Sequence, residues 1–239
     1  MISCLAPRRI AFYSIFLLLM AILASGCQQQ AKGEQAQANI TAIANSTKSL
    51  GTVEVRQYQG KDLSSVNDFV ENSIHGPQYI DITKYHLEIS GLVKNPKNYT
   101  YDEVLNRQKY SKVVTLNCVE GWSVTVLWQG VLLSDLIDEA GAAPDANTVI
   151  FYSYDGYSTS LPLGYVKNRQ ILLAYAMNNV TMPPERGYPF MVVAEDKWGY
   201  KWAKWVTRIE VTSNSSYKGY WETFGYSQNG SLNAPMFDR

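Results

Sequence analysis

VVTLNCVEGWSVTVLWQGVLLSD, residues 113–135, is the stretch from which the fold of this chain is read. Its first four residues are apolar or β-branched and read as a buried strand that delivers Cys118 to its end. A turn at Gly121 and Trp122 follows, then a second apolar run, Gly130 and the start of a helix. Cys118 is the only cysteine beyond the first 27 residues. One soft ligand at a strand end suggests a metal ligand or a nucleophile. The other reading, a small buried hydrophobe, is what unpaired cysteines most often are.

Toward the N-terminus, Arg8 and Arg9 precede an apolar run over residues 10–23, and LASGC then ends at Cys27. A basic region, an apolar region and small residues in that order make an export signal over residues 1–26. Leu23-Ala24-Ser25-Gly26-Cys27 resembles a lipobox, the site where a signal is cut and the new terminal cysteine, Cys27, is acylated. The alternative, an uncleaved signal anchor, needs roughly 20 apolar residues, more than this run supplies. Residues 27–52 are rich in Gln, Ala, Ser and Thr, lack aromatic side chains, and read as a flexible tether. Either anchor puts the domain in the cell envelope, outside the cytoplasm and tied to a membrane. Cys4 falls in the leader and Cys27 is taken by lipid, so Cys118 has no disulfide partner. A lone thiol in an oxidising compartment needs protection by burial or by a ligand, which strengthens the metal reading. Asn39, Asn45, Asn98, Asn179, Asn214 and Asn229 open Asn-X-Ser/Thr sequons, either glycan acceptors or chance matches.

Toward the C-terminus the chain is long enough for one domain with a real core, set at residues 53–226 and followed by a tail, 227–239. Lysine plus arginine equal aspartate plus glutamate at 21 each, so no charge excess points to nucleic acid. The 17 tyrosines and 6 tryptophans concentrate in the second half and favour a β-rich, pocketed domain over a helical bundle. Residues 85–89 alternate as a strand, and Thr100 to Glu103 fits a capping box that opens a short helix through Leu105. Residues 134–140 read as a helix that Gly141 closes. Strands are expected over 149–154, 171–177, 189–194 and 205–212, which makes a single α+β domain on a mixed, mostly antiparallel sheet.

Two histidines and one available cysteine cannot build a four-ligand structural zinc site. No Gly-rich phosphate loop, HExxH or GxSxG is present. PPERGYPF, residues 183–190, and DKWGYKWAKW, residues 196–205, point elsewhere. Lysines 197, 201 and 204, spaced through aromatic rings with a glycine for close approach, suit a flat anionic ligand. The competing reading is a surface hairpin with solvated lysines.

These segments, NCVEGWSVTVLWQGVLLSDL, SYDGYSTSLPL, LLAYAMNNVTMPPERGYPFMVV and KWGYKWAKWVTRIEV, together resemble a known family. They are similar, in order and over residues 67–220, to the oxidoreductase molybdopterin-binding domain of the sulfite oxidase superfamily. The nearest branch is that of the periplasmic methionine-sulfoxide reductase catalytic subunit. The resemblance implies a sulfite-oxidase-type fold and the molybdenum-molybdopterin cofactor, with Cys118 as catalytic thiolate ligand of the metal. It implies pterin contacts from Asn67, Val70, Glu71, Ser153, Arg186, Trp202 and Ala203, with Lys204 on the cofactor's phosphate.

Departures from the family matter as much. Val119, Glu120, Gly121 and Trp122 follow the cysteine where sulfite oxidases carry arginines that hold the sulfite dianion. An acidic, aromatic lining repels that anion. Met191 stands where the reductase branch has an arginine, and Arg186 where it has an asparagine. The chain carries no Cys-x-x-Cys-His haem motif, so the resemblance implies a separate haem or quinone-linked membrane partner for electrons. Two readings stand: a lipid-anchored molybdenum oxidoreductase moving an oxygen atom to or from a small substrate such as a sulfoxide, or a non-catalytic lipoprotein keeping the fold as a binding module.

Overall fold

Residues 53–238 are described by the structure, a computed structural model; the leader, Cys27, the tether and the sequons at Asn39 and Asn45 lie outside the described residues. Strands β1 (Gln57–Tyr58) and β2 (Lys61–Asp62) form a small hairpin. Strand β3 (Leu87–Gly91) pairs with β4 (Lys97–Tyr99), and helix α1 (Tyr101–Leu105) follows. Strands β5 (Tyr110–Asn117) and β6 (Ser123–Leu132) make a long hairpin that runs into helix α2 (Leu133–Ala140). Then come β7 (Thr148–Ser153), β8 (Ser158–Pro162), helix α3 (Leu163–Asn168) and β9 (Leu172–Met177). Strands β10 (Val180–Thr181), β11 (Met191–Val193) and β12 (Val206–Thr212) complete the set.

One five-stranded sheet runs β10-β9-β6-β5, with β11 also paired to β9; the other runs β4-β3-β12-β7-β8. Only the β12–β3 pairing is parallel among the named strands. The described residues fall in one compact unit, so the α+β, β-rich mixed domain expected from the sequence is what forms.

Local rules account for the elements. Thr100 Oγ1 accepts from the Glu103 N–H while the Glu103 carboxylate accepts from the Thr100 N–H, the reciprocal capping box read in the sequence. Helix α2 buries Leu133, Leu136, Ile137 and Ala140, a stripe at helical spacing, and ends at Gly141 with φ 74°. Strand β9, LLAYAM, is buried at every position because it lies between β6 and the β10 and β11 edge and is covered on both faces. Gly130 sits at the register shift between β6 and β9, where an added Cβ would lie 2.1 Å from the Leu173 carbonyl oxygen.

Some boundaries move. Strand β3 starts at Leu87, not Tyr85, because the Tyr85 N–H closes a turn onto the Ile82 carbonyl instead of joining the ladder; its side chain still points inward, donating to the Val206 carbonyl. Strand β11 is shorter than residues 189–194, and Pro189 has no N–H to give a ladder. Strand β8 and helix α3 occupy a stretch read from sequence as a turn and connector. Residues 227–238 pack back on the domain: the Ser227 N–H donates to the Met236 carbonyl, and Ser231 bridges Lys197.

Candidate active site

Cys118 is the first residue past β5, in the turn that leads into β6. The Cys118 N–H donates to the Trp122 carbonyl at 2.9 Å, and its own carbonyl accepts from the Gly121 N–H at 3.1 Å. Gly121 has φ 89°, a left-handed conformation open to glycine at no steric cost. The thiol is buried, and burial pushes its pKa up. Free, it is a neutral thiol at pH 7, and a metal must displace its proton to bind it. Glu120 is beside it: Sγ and the Glu120 carboxylate are 3.9 Å apart, and the Trp122 indole N–H points to the same oxygen at 3.4 Å.

A second turn closes on the first. Residues Gly199–Lys201 form a 3₁₀ turn, and a Cβ at Gly199 would come within 3.3 Å of the Asn117 carbonyl oxygen and 3.5 Å of Cys118 Cα. Glycine there lets the Trp202-Ala203-Lys204 segment approach the cysteine turn. Trp202 packs on Trp128 with ring centres 5.4 Å apart and donates its indole N–H to the Lys197 carbonyl. Lys204 pairs with Glu71 at 3.0 Å and lies 4.3 Å from the centre of the Trp205 ring. Burial lowers its pKa, opposed by Glu71.

Between these turns lies a cavity of about 220 Å³. Of the residues picked from the sequence, Val70, Cys118, Ser153, Arg186, Trp202 and Lys204 line it. Ser153 ends β7, and its hydroxyl is buried without a hydrogen-bond partner among the described residues. Arg186 donates from Nε to the Val66 carbonyl, and its guanidinium lies 5.3 Å from the centre of the Phe69 ring.

Three picks fall off the wall. Asn67 is exposed and turned into a local loop, its N–H donating to Ser65 Oγ. Glu71 acts through Lys204, and Ala203 is fully buried with its carbonyl accepting from the Val192 N–H. Among the three lysines considered together only Lys204 reaches the cavity. Lys197 is held by Asn229 and the Tyr165 ring, and Lys201 by Glu222. Met191 lines the cavity, as its place in β11 dictates.

Phe69, Asp155, Tyr157, Trp221 and Tyr226 also line the cavity and were not singled out in the sequence. SYDGYSTSLPL held a signal for two of them, since Asp155 and Tyr157 are in the turn directly after Ser153. Trp221 and Tyr226 come from beyond β12, where nothing but aromatic content marked them.

Among the described residues no group of three or more His, Cys, Asp or Glu side chains is arranged to hold a metal ion. A metal held by Cys118 would draw most of its ligands from a cofactor or solvent, not from these side chains. One thiol, two cations and aromatic walls on a β-rich scaffold suit a domain that holds a flat anionic cofactor. The sequence profile of the oxidoreductase molybdopterin binding domain matches residues 74–221, more than half of the chain. The chain is 36% identical over 155 residues to the oxidoreductase YuiH of Bacillus subtilis, covering 64% of this chain and 78% of that protein. It is 28% identical over 141 residues to the protein-methionine-sulfoxide reductase catalytic subunit MsrP of Ralstonia nicotianae, over 52% of this chain and 43% of the relative. The crystal structure of the sulfane dehydrogenase SoxCD from Paracoccus pantotrophus shares the fold, with a TM-score of 0.56 at 24% identity over 60% of this chain and 41% of that one. The chain belongs to the oxidoreductase molybdopterin binding domain family, within the sulfite oxidase superfamily. It is a molybdopterin-dependent oxidoreductase.

The residues present fit that cofactor. Cys118 offers the soft donor that molybdenum takes, Lys204 and Arg186 offer charge for a phosphate, and Ser153 has a buried hydroxyl in need of a partner.

Proposed function

We propose that this oxidoreductase takes an oxygen atom from a small neutral substrate, a sulfoxide, and draws its electrons from a separate haem or quinone-linked membrane partner. The observation that carries the reading is the wall beside Cys118: Glu120 and Trp122 stand there, and the cavity's arginine, Arg186, is turned to the Val66 carbonyl and the Phe69 ring. A sulfoxide is dipolar but uncharged, so it meets no repulsion from Glu120, whereas a dianion does. The MsrP relative, a protein-methionine-sulfoxide reductase catalytic subunit, agrees with this substrate class.

In this reading Cys118 binds the metal, Lys204 and Arg186 hold the cofactor's phosphate, and Ser153 and Trp202 hold the pterin. The cofactor supplies two-electron oxygen-atom transfer when bound. The chain contributes a cavity with aromatic and cationic walls for a flat anionic group and a thiol at a fixed strand end. The apolar run with Leu23-Ala24-Ser25-Gly26-Cys27 supports export and lipid anchoring at Cys27. No helix among the described residues is long and apolar enough to cross a membrane.

Elemental analysis of the protein from its native envelope tests the metal assignment. About one molybdenum per chain, lost in Cys118→Ser, is expected; metal-free wild type of full native stability refutes it. Assays of the loaded protein against dimethyl sulfoxide, an N-oxide and sulfite then test the substrate class. Turnover of sulfite alone overturns it.

A further inference from the structure

The β7–β8 turn places a carboxylate inside the cleft that the proposed chemistry has not yet used. Asp155 is buried there, on the same wall as Ser153, Tyr157, Lys204 and Cys118. Its Oδ1 accepts from the Tyr157 N–H at 3.0 Å, and no ion pair engages it among the described residues. Its backbone carbonyl meets Nδ1 of His75 at 2.8 Å, which ties the turn to the segment covering the cleft. Charges of both signs surround it, but each cation is engaged elsewhere. Lys204 is paired with Glu71, and Arg186 donates to Val66.

Reduction of a sulfoxide needs protons as well as electrons. The sulfur–oxygen bond breaks, sulfur gains two electrons from the one-electron carriers of the partner, and the oxygen leaves as water with two new O–H bonds. Five wall residues, Phe69, Trp122, Trp202, Trp205 and Trp221, have no proton to give at neutral pH, and the two other wall carboxylates are engaged: Glu120 by the Cys118 thiol and the Trp122 indole N–H, Glu185 by the Tyr79 hydroxyl. The Tyr157 hydroxyl is committed as donor to the Tyr200 carbonyl. We propose that Asp155 is the proton donor of the cleft, delivering a proton to the departing oxygen and recovering it from solvent before the second is needed. This inference rests on the oxygen-transfer reading above.

Burial sets its proton affinity. Burial raises the Asp155 pKa, while the Tyr157 N–H and the charges of Lys204 and, when protonated, His75 pull it down; the net direction is up. A carboxylic acid held above its ordinary value gives up protons nearer to neutrality, where a general acid works best.

Asp155→Asn keeps the shape of the side chain and removes the proton. In the molybdenum-loaded full chain, with dimethyl sulfoxide and reduced viologen, kcat is expected to fall on the order of 100-fold at unchanged KM and molybdenum content. Asp155→Glu restores part of the rate. Wild-type kcat falls as pH rises through the Asp155 pKa, and that limb disappears in Asp155→Asn. Independently of turnover, carboxyl ¹³C NMR of the oxidised loaded protein should show one aspartate, absent in Asp155→Asn, titrating above its ordinary range. Wild-type kcat and pH profile in Asp155→Asn overturn the proposal, as does an ordinary titration of Asp155. If the loaded wild type reduces no sulfoxide, the oxygen-transfer reading falls, and the proton-donor role falls with it whatever the titration shows.

Discussion

Replacing Lys201 by methionine strands a charge in the core. Lys201 Nζ and Glu222 Oε1 are 2.6 Å apart, and neither side chain has any exposed surface. The ammonium also donates to the Gln228 carbonyl at 2.9 Å, and Thr159 Oγ1 donates to the same Glu222 oxygen at 2.6 Å. Glu222 Oε2 has no hydrogen-bond partner among the described residues. In Lys201→Met the carboxylate keeps one neutral hydrogen bond, and removing one partner of a buried pair costs about 3–5 kcal/mol. With a urea m-value of about 2–3 kcal/mol per M, the unfolding midpoint drops by about 1–2 M. Equilibrium urea denaturation followed by tryptophan fluorescence measures it. The double variant Lys201→Met/Glu222→Leu, which removes both charges and fills the space, should recover to within about 1 kcal/mol of wild type or exceed it. A loss under about 1 kcal/mol in the single variant, or no recovery in the double, refutes the electrostatic account. The pair matters to the cleft because Glu222 follows Trp221 and Lys201 follows Tyr200, both wall residues.

Other perturbations have clear signs. Glu139 is held at a pKa of about 2, below its ordinary 4.5, by hydrogen bonding to Arg107, then by Lys97 and Tyr99. Its folded pKa is depressed, so its contribution is present above about pH 4.5 and is lost as pH falls toward about 2. Glu139→Gln should therefore flatten the acid limb of a stability-versus-pH curve in that window and leave the alkaline limb alone. Asn178 is fully buried, accepts from the Leu127 N–H, and donates to Glu54 and the Ser64 carbonyl. Asn178→Ala should cost about 3 kcal/mol by thermal or urea unfolding and expose the segment before β3 to limited proteolysis. Gly130→Ala forces a Cβ against the Leu173 carbonyl and should cost about 1–3 kcal/mol with lost hydrogen-exchange protection in β9.

Much of this architecture could be read in advance because its signals are local. The capping box at Thr100, the apolar stripe ending at Gly141 and the unbroken LLAYAM strand each specify themselves within a few residues. Strand β8 escaped because Ser158–Pro162 is short and half polar, and its pairing to β7 depends on a turn at Asp155 and Gly156. The site divides in the same way. Cys118, Ser153, Arg186 and Lys204 lie in segments whose order resembles a family, so they were legible. Lysines 197, 201 and 204 look alike in sequence, yet their partners are Asn229, Glu222 and Glu71, in different directions along the chain. No local pattern separates a cation bound to the core from one left for a ligand.

Strand β12 has a consequence for how the molecule is made. It is the last strand in the sequence, yet it lies between β3 and β7 in its sheet. Until it leaves the ribosome, β3–β4 and β7–β8 are two separate hairpins with a gap between them one strand wide. Loop-closure entropy delays such long-range pairing even after the strand is available. Trp202 and Lys204 immediately precede β12, and Trp221 and Tyr226 come after it. The wall of the cleft is complete only once Tyr226 has been added, so the cofactor can be fully enclosed only after that point.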